Sequence, residues 1–219
     1  MLKGFQTKRD MVYSRMKESI LSGKLRPGDR LNIGVLAKEF SISEIPVREA
    51  IQVLESEHLI KIIPHTGAIV APVSTDELHE IYELRMYFEA LATFLATPFL
   101  TQDDFNELDK NVKKQRFCVE YNELEEFGEL NLAFHQLIYN KNPNKRLNSF
   151  ILNLWENSKR YKTVFTDNLE FTKGSLEEHV QLVQILKEQD AKQAELTMKR
   201  HLMRATVEIK RKWKNIDTP

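Results

Sequence analysis

Residues 33–63 read IGVLAKEFSISEIPVREAIQVLESEHLIKII, and this stretch decides the fold of the N-terminal part of the chain. Residues 33–40 place Leu36 and Phe40 on one face of a short helix. The tripeptide Ser41-Ile42-Ser43 is long enough only for a tight turn. Residues 45–56 then bury Val47, Ile51 and Leu54 at helical spacing, with Pro46 in the first turn, where its missing N–H costs nothing. Two helices joined by so short a turn form a helix-turn-helix, whose second helix enters a DNA major groove by its N-terminal end.

Upstream, Met11, Val12, Met16, Ile20 and Leu21 recur at three-to-four spacing and predict a helix from Lys8 to Leu21. Gly23 ends it, and LRPGD at residues 25–29 is a Pro/Gly turn. Downstream, LIKII at residues 59–63 and AIVA at residues 68–71 are β-rich runs flanking PHTG. They predict a two-stranded hairpin in the position of a wing.

The segments ILSGKLRPGDRL, LAKEFSIS, PVREAIQVLESEHLI and HTGAIVAPV together resemble the DNA-binding domain of the GntR family. The resemblance covers nearly all of residues 8–73. It implies that Arg48, one turn into the recognition helix, contacts DNA. The spacing also allows a surface ion pair of Arg48 with Glu44 at i,i+4. Where the family usually has an arginine, this chain has Glu44, followed by Ile45; a carboxylate can accept from cytosine N4 but cannot pair with phosphate or guanine. Ser43 is a candidate helix cap and phosphate contact. Gly67 at the wing tip lets backbone approach the minor groove or simply makes the turn. Lys24, Arg30 and His65 are further candidate phosphate contacts.

Residues 75–219 read differently. Six helices are expected, at about 75–96, 102–117, 123–140, 144–165, 175–188 and 191–213, with Pro98 and Pro143 at two junctions. STDE, SLEE and DAKQ, opening at Ser74, Ser175 and Asp190, have the form of capping boxes. No stretch reads as a strand, so the expected architecture is mostly α: a winged helix-turn-helix in residues 1–74 and an all-α antiparallel bundle in residues 75–219.

Three histidines, His135, His179 and His201, fall inside amphipathic helices of this bundle, and Asn131 lies one turn before His135 on the same face. Facing helices of a bundle commonly build metal sites from such inward groups. Taken singly, each histidine is more often a hydrogen-bonded helix residue than a ligand. This half resembles the FCD sensor domain of FadR-type GntR regulators, in its six-helix, VanR-like form. That resemblance implies a metal held by Asp-x-x-x-His and two later histidines, with Asn131 here in the place of the aspartate. A neutral amide is the weaker ligand. The resemblance leaves two arrangements: a divalent transition metal, zinc or nickel, on three imidazoles, or histidines that meet an effector directly. It also implies that Arg85 reaches the effector pocket and meets a carboxylate, which its planar fork suits. An i,i+4 pair with Glu89 is the plainer reading of Arg85. Tyr82, Glu89 and Tyr139 read as helix packing or surface residues, and Trp155 as core or dimer interface rather than part of a cofactor box.

Composition bounds the rest. The net charge is zero, with 32 Lys+Arg against 32 Asp+Glu, which argues against an indiscriminate polyanion binder. Residues 1–74 hold 11 basic and 8 acidic residues, leaving 21 and 24 for the remainder. One cysteine excludes an internal disulfide and suits a reducing compartment. The longest apolar run, residues 91–100, is half a membrane span and contains Pro98. The expected protein is a cytoplasmic homodimer with no membrane association. It is a repressor or activator that binds a pseudo-palindromic double-stranded DNA operator and answers to a small carboxylate effector, rather than an enzyme. Two alternatives remain: a hydrolase using the three-histidine metal, and a constitutive DNA-binding protein with a degenerate sensor.

Overall fold

The computed structural model describes residues 7–64, 66–72, 74–158 and 168–214. Contacts divide the chain into two compact units, Met1–Ser74 and Thr75–Pro219.

The first unit opens with α1 (Lys8–Leu21), started by a capping box between Thr7 and Asp10. β1 (Arg30–Leu31), α2 (Ile33–Glu39), α3 (Glu44–Ser56), β2 (Ile60–Ile63) and β3 (Gly67–Val70) follow. Asn32 caps α2, its side-chain oxygen accepting from the Val35 N–H at 3.0 Å. Helix α3 buries Val47, Ala50, Ile51 and Leu54, and these pack with Val12, Met16 and Ile20 of α1 into one core. The sequence predicted the three helices closely because each carries an apolar stripe on one face. It missed β1. The sheet has three antiparallel strands in the order β1-β3-β2, not two. Two residues carry no period to read; β1 exists because Arg30 pairs with Ile69 and Leu31 with Ala68. Gly67 has φ +98°, a left-handed conformation that favours glycine, so the hairpin itself accounts for its presence.

The second unit contains, among the described residues, six α-helices: α4 (Thr75–Ala96), α5 (Gln102–Tyr121), α6 (Leu124–Tyr139), α7 (Lys145–Ser158), α8 (Leu169–Lys187) and α9 (Ala191–Lys214). Pro98 lies in a single 3-10 turn after α4. α4 packs on α9 and α7, and α5 packs on α6 and α8. Phe127, Phe134, Ile138, Ile151, Leu186 and Met198 form part of its fully buried interior. Buried Thr93 and Thr97 satisfy their hydroxyls on the carbonyls of Glu89 and Thr93, each at 2.8 Å.

Two helix boundaries correct the sequence reading. α5 runs four residues past 117, to Tyr121, ending where Asn122 adopts φ 59°. α8 starts at Leu169 rather than 175, because Asn168 caps it by accepting from the Phe171 N–H at 2.9 Å. Ser175 is therefore no cap; its hydroxyl bonds the Phe171 carbonyl at 3.2 Å, and Glu178 is free for another task. Asp190 does cap α9, accepting from the Gln193 N–H at 2.9 Å. Residues 159–165, expected to continue α7, lie outside the described residues. No helix among the described residues is long and apolar enough to cross a membrane.

Candidate DNA-binding surface and buried histidine site

In the first unit α3 is two-sided. Val47, Ala50, Ile51 and Leu54 face the core, while Glu44, Ile45, Arg48 and Gln52 are exposed. Ile45 is 67% exposed. The Arg48 guanidinium bonds Glu44 at 2.8 Å with both side chains more than half exposed. An exposed i,i+4 pair is worth only about 0.3–0.5 kcal/mol, so a phosphate or base can displace it. Ser43 occupies the N-cap position of α3, yet its side chain makes no capping bond; the capping role expected of it is not realised. Lys24 and Arg30 are exposed. Gly67 opens β3. His65 lies outside the described residues.

The second unit turns three imidazoles and the Arg85–Glu89 pair inward. α6 contributes Asn131, His135 and Tyr139 at successive i+4 positions, all at most 2% exposed. α8 brings His179 and α9 brings His201, both buried. The ring centroids of His135, His179 and His201 lie 4.9–5.4 Å apart, and one potential ligand atom from each falls within 4.8 Å of the others. Phe134 stacks on His179 at 4.1 Å and screens the ring from water.

Each imidazole is held from behind through Nδ1. His135 Nδ1 lies 2.7 Å from the Tyr139 hydroxyl and 3.3 Å from Glu89. Tyr139 donates its own proton to Glu89, so its oxygen is left to accept from His135. His201 Nδ1 lies 2.6 Å from Glu178, a carboxylate that can only accept. His179 Nδ1 lies 2.7 Å from Gln115 Oε1 of α5. Such outer partners fix ring orientation and raise ligand basicity in metal sites. The carboxylates are clamped in turn. Glu89 takes Arg85 Nε at 2.7 Å, and Glu178 takes Arg204 at 2.8 and 2.9 Å.

Electrostatics follow from this burial. Desolvation pushes the His135 imidazole down from 6.5 to about 4, against the pull of Glu89. His179 is driven well below its ordinary value by burial and by neighbouring positive charge. Burial works to raise Glu89 and Glu178, but Arg85 and His135 hold the first, and His201 and Arg204 the second, below the usual carboxylate range. Burial thus holds His135 and His179 neutral, while Glu89 beside His135 and Glu178 beside His201 stay ionised.

Two buried polar atoms of this unit have no hydrogen-bond partner among the described residues: His179 Nε2 in the cluster, and Oδ1 of Asn131, one turn before His135 on α6. A buried unpaired acceptor costs about 1–3 kcal/mol. A cation would satisfy the bare His179 Nε2, so the three gathered imidazoles fit a transition metal, and imidazole suits zinc, nickel, copper or iron.

Arg85 is 2% exposed. The plain reading, a pair with Glu89, is realised, though buried rather than on the surface. Its guanidinium also lies 3.6 Å from the centroid of Trp155, and the two N–H groups of Nη1 are left without a partner among the described residues. The sequence reading set aside Glu89, Tyr139 and Trp155, which all touch the site. Glu89 and Tyr139 had a signal, each four residues after Arg85 or His135. Gln115 and Glu178 had none, since their roles depend on which helix lies opposite.

Comparison with known proteins agrees with both halves. The profile described as "Bacterial regulatory proteins, gntR family" matches residues 8–70, and that of the FCD domain matches residues 80–204. The chain is 30% identical over 141 residues to the uncharacterized HTH-type transcriptional regulator YdhC of Bacillus subtilis. That stretch is 64% of this chain and 62% of YdhC, so the match spans about three-fifths of that relative. It is 25% identical over 205 residues to the HTH-type transcriptional repressor RspR of Escherichia coli, covering 94% of this chain and 90% of RspR. The solved structure of E. coli McbR/YncC shares the fold with a TM-score of 0.73 at 24% identity, covering 94% of this chain and 99% of that one. These relatives are regulators rather than enzymes, and nothing among them supports a hydrolase.

Proposed function

Because this chain belongs to the GntR family of bacterial regulatory proteins and carries an FCD domain, we propose that it is a DNA-binding transcription regulator. In this reading its operator affinity answers to a small carboxylate held in the helical unit. The observation that carries the sensor half is the buried histidine cluster, with His179 Nε2 and Asn131 Oδ1 unpartnered beside it.

His135, His179, His201 and Asn131 would hold a divalent transition metal, zinc or nickel. A bound metal supplies a Lewis-acidic anchor for an anionic ligand. Arg85 Nη1, buried and unpartnered, would take a carboxylate oxygen of the same effector. Neutral imidazoles and a neutral amide leave the metal's charge uncompensated, which favours an anionic effector. RspR is a repressor, and we extend that role to this chain. Two copies would place two α3 helices on the halves of a pseudo-palindrome. Arg48, released from Glu44, would reach a guanine or phosphate, and Ile45 would meet a thymine methyl. Lys24 and Arg30 would add phosphate contacts. The effector acts only through a difference in its affinity for the DNA-competent and DNA-incompetent states.

The test is metal analysis of untagged protein purified without chelator, followed by operator binding with and without chelator and with a panel of carboxylates. Near-stoichiometric zinc or nickel, with DNA affinity that shifts on ligand addition, is the expected result. Operator binding indifferent to chelator and carboxylates would leave a constitutive DNA-binding protein.

A further inference from the structure

A chain of side-chain hydrogen bonds reaches the histidine site from α5, and its direction can be deduced. It begins at the Leu130 carbonyl on α6, which can only accept. Asn111 on α5 must therefore present its NH2 group there, at 3.1 Å, and its side-chain oxygen points the other way. That oxygen receives Gln115 Nε2 at 2.7 Å. Gln115 is fully buried, so with its NH2 group committed to Asn111 its oxygen must face His179 Nδ1, at 2.7 Å. An oxygen acceptor there requires a proton on Nδ1.

We propose that Asn111 and Gln115 are positioning residues that lock His179 as the Nδ1–H tautomer, leaving the Nε2 lone pair bare toward the other two imidazoles. His135 receives the same instruction from Tyr139 on its own helix, backed by Glu89 of α4, and His201 from Glu178 of α8. His179 alone takes it from a neutral amide, and that amide would read the opposite way if turned over. The anchor at Leu130 prevents the turn. Because Leu130 precedes Asn131, one segment of α6 both orients the relay and carries a proposed ligand. A neutral backing partner also adds no charge to a cluster that already holds two ion pairs, Arg85–Glu89 and Arg204–Glu178.

The consequence for ligand binding rests on the metal reading above; the tautomer assignment does not. The test is long-range 1H–15N correlation NMR on the full-length, chelator-treated protein with labelled histidine, together with zinc affinity measured against a competing dye. Wild type should show His179 with a protonated Nδ1 and an unprotonated Nε2. Gln115→Glu and Gln115→Met both break the link to Asn111, and both should lower the unfolding midpoint. Only Gln115→Met removes the oxygen that faces His179. It should release the ring into mixed tautomers and weaken zinc binding roughly 10- to 100-fold, the usual effect of losing an outer-shell partner. Gln115→Glu should keep the Nδ1–H form and most of the affinity. A wild-type His179 protonated on Nε2, or a tautomer unmoved in Gln115→Met, would overturn the relay. Wild-type protein with the expected tautomer and no zinc binding would uphold the relay and remove the metal instead.

Discussion

Acidifying the chelator-treated protein from pH 7.5 to 5 should destabilise its helical unit through His135. Burial lowers the pKa of that imidazole from 6.5 to about 4, while in the unfolded chain it titrates near its ordinary value. As pH falls, the unfolded state takes up the proton first. Stability that is fully present above 6.5 is therefore lost progressively down to about 4. The gap corresponds to about 3 kcal/mol in all, of which about 2 kcal/mol is gone by pH 5. His179, also held low by burial, adds in the same direction. Glu89 and Glu178 are held below the ordinary carboxylate range and stay ionised in the folded protein through this window, so they add only a small loss of the same sign as pH nears 5. Both tryptophans, Trp155 and Trp213, lie in the second unit, so urea unfolding followed by tryptophan fluorescence reports on the right domain. Wild type should lose about 2 kcal/mol or more between pH 7.5 and 5, and His135→Gln should lose distinctly less. A wild-type stability flat across that range, or a variant with the same slope, would refute the claim that His135 is buried in its neutral form.

Arg85→Met should cost about 3–5 kcal/mol in urea unfolding, because it strands the fully buried Glu89 carboxylate without its partner; a loss under 1 kcal/mol would mean Glu89 is solvated. Asn131→Asp should tighten zinc or nickel binding in competition titrations by returning a negative charge to the ligand set, and unchanged affinity would place residue 131 outside it. Glu44→Gln should leave stability within about 0.5 kcal/mol, since its pair with Arg48 is exposed, and should strengthen DNA binding at low salt by freeing the arginine. Arg48→Ala should weaken operator binding more than binding to random DNA; equal losses in a gel-shift comparison would mark Arg48 as a phosphate contact only.

The helices were legible wherever a stripe of apolar residues repeats, because burying one face of a helix demands that pattern locally. Val47, Ile51 and Leu54 mark α3, and Val12, Met16 and Ile20 mark α1, without help from the rest of the chain. The misreadings fall where local signals compete. Ser175-x-x-Glu178 has the form of a cap, but Asn168 caps the helix earlier and Glu178 turns to His201. Strand β1 has only two residues and is defined by its partner strand.

From the sequence alone, then, come the two domains, the order of their helices, the wing, and the identity of the three histidines with Asn131 beside them. Spacing places a residue on a helix face, and it was the resemblance to the FCD sensor domain that singled out these three imidazoles together. Tertiary structure alone decided what stands behind each imidazole. It put Gln115 of α5 behind His179, Glu178 of α8 behind His201, and Tyr139 with Glu89 behind His135. Of these, only His135–Tyr139 lies at helical spacing on one element. A tautomer or a pKa depends on groups 2.6 to 3.3 Å away, and two of the three rings are set by residues brought there only when the helices pack.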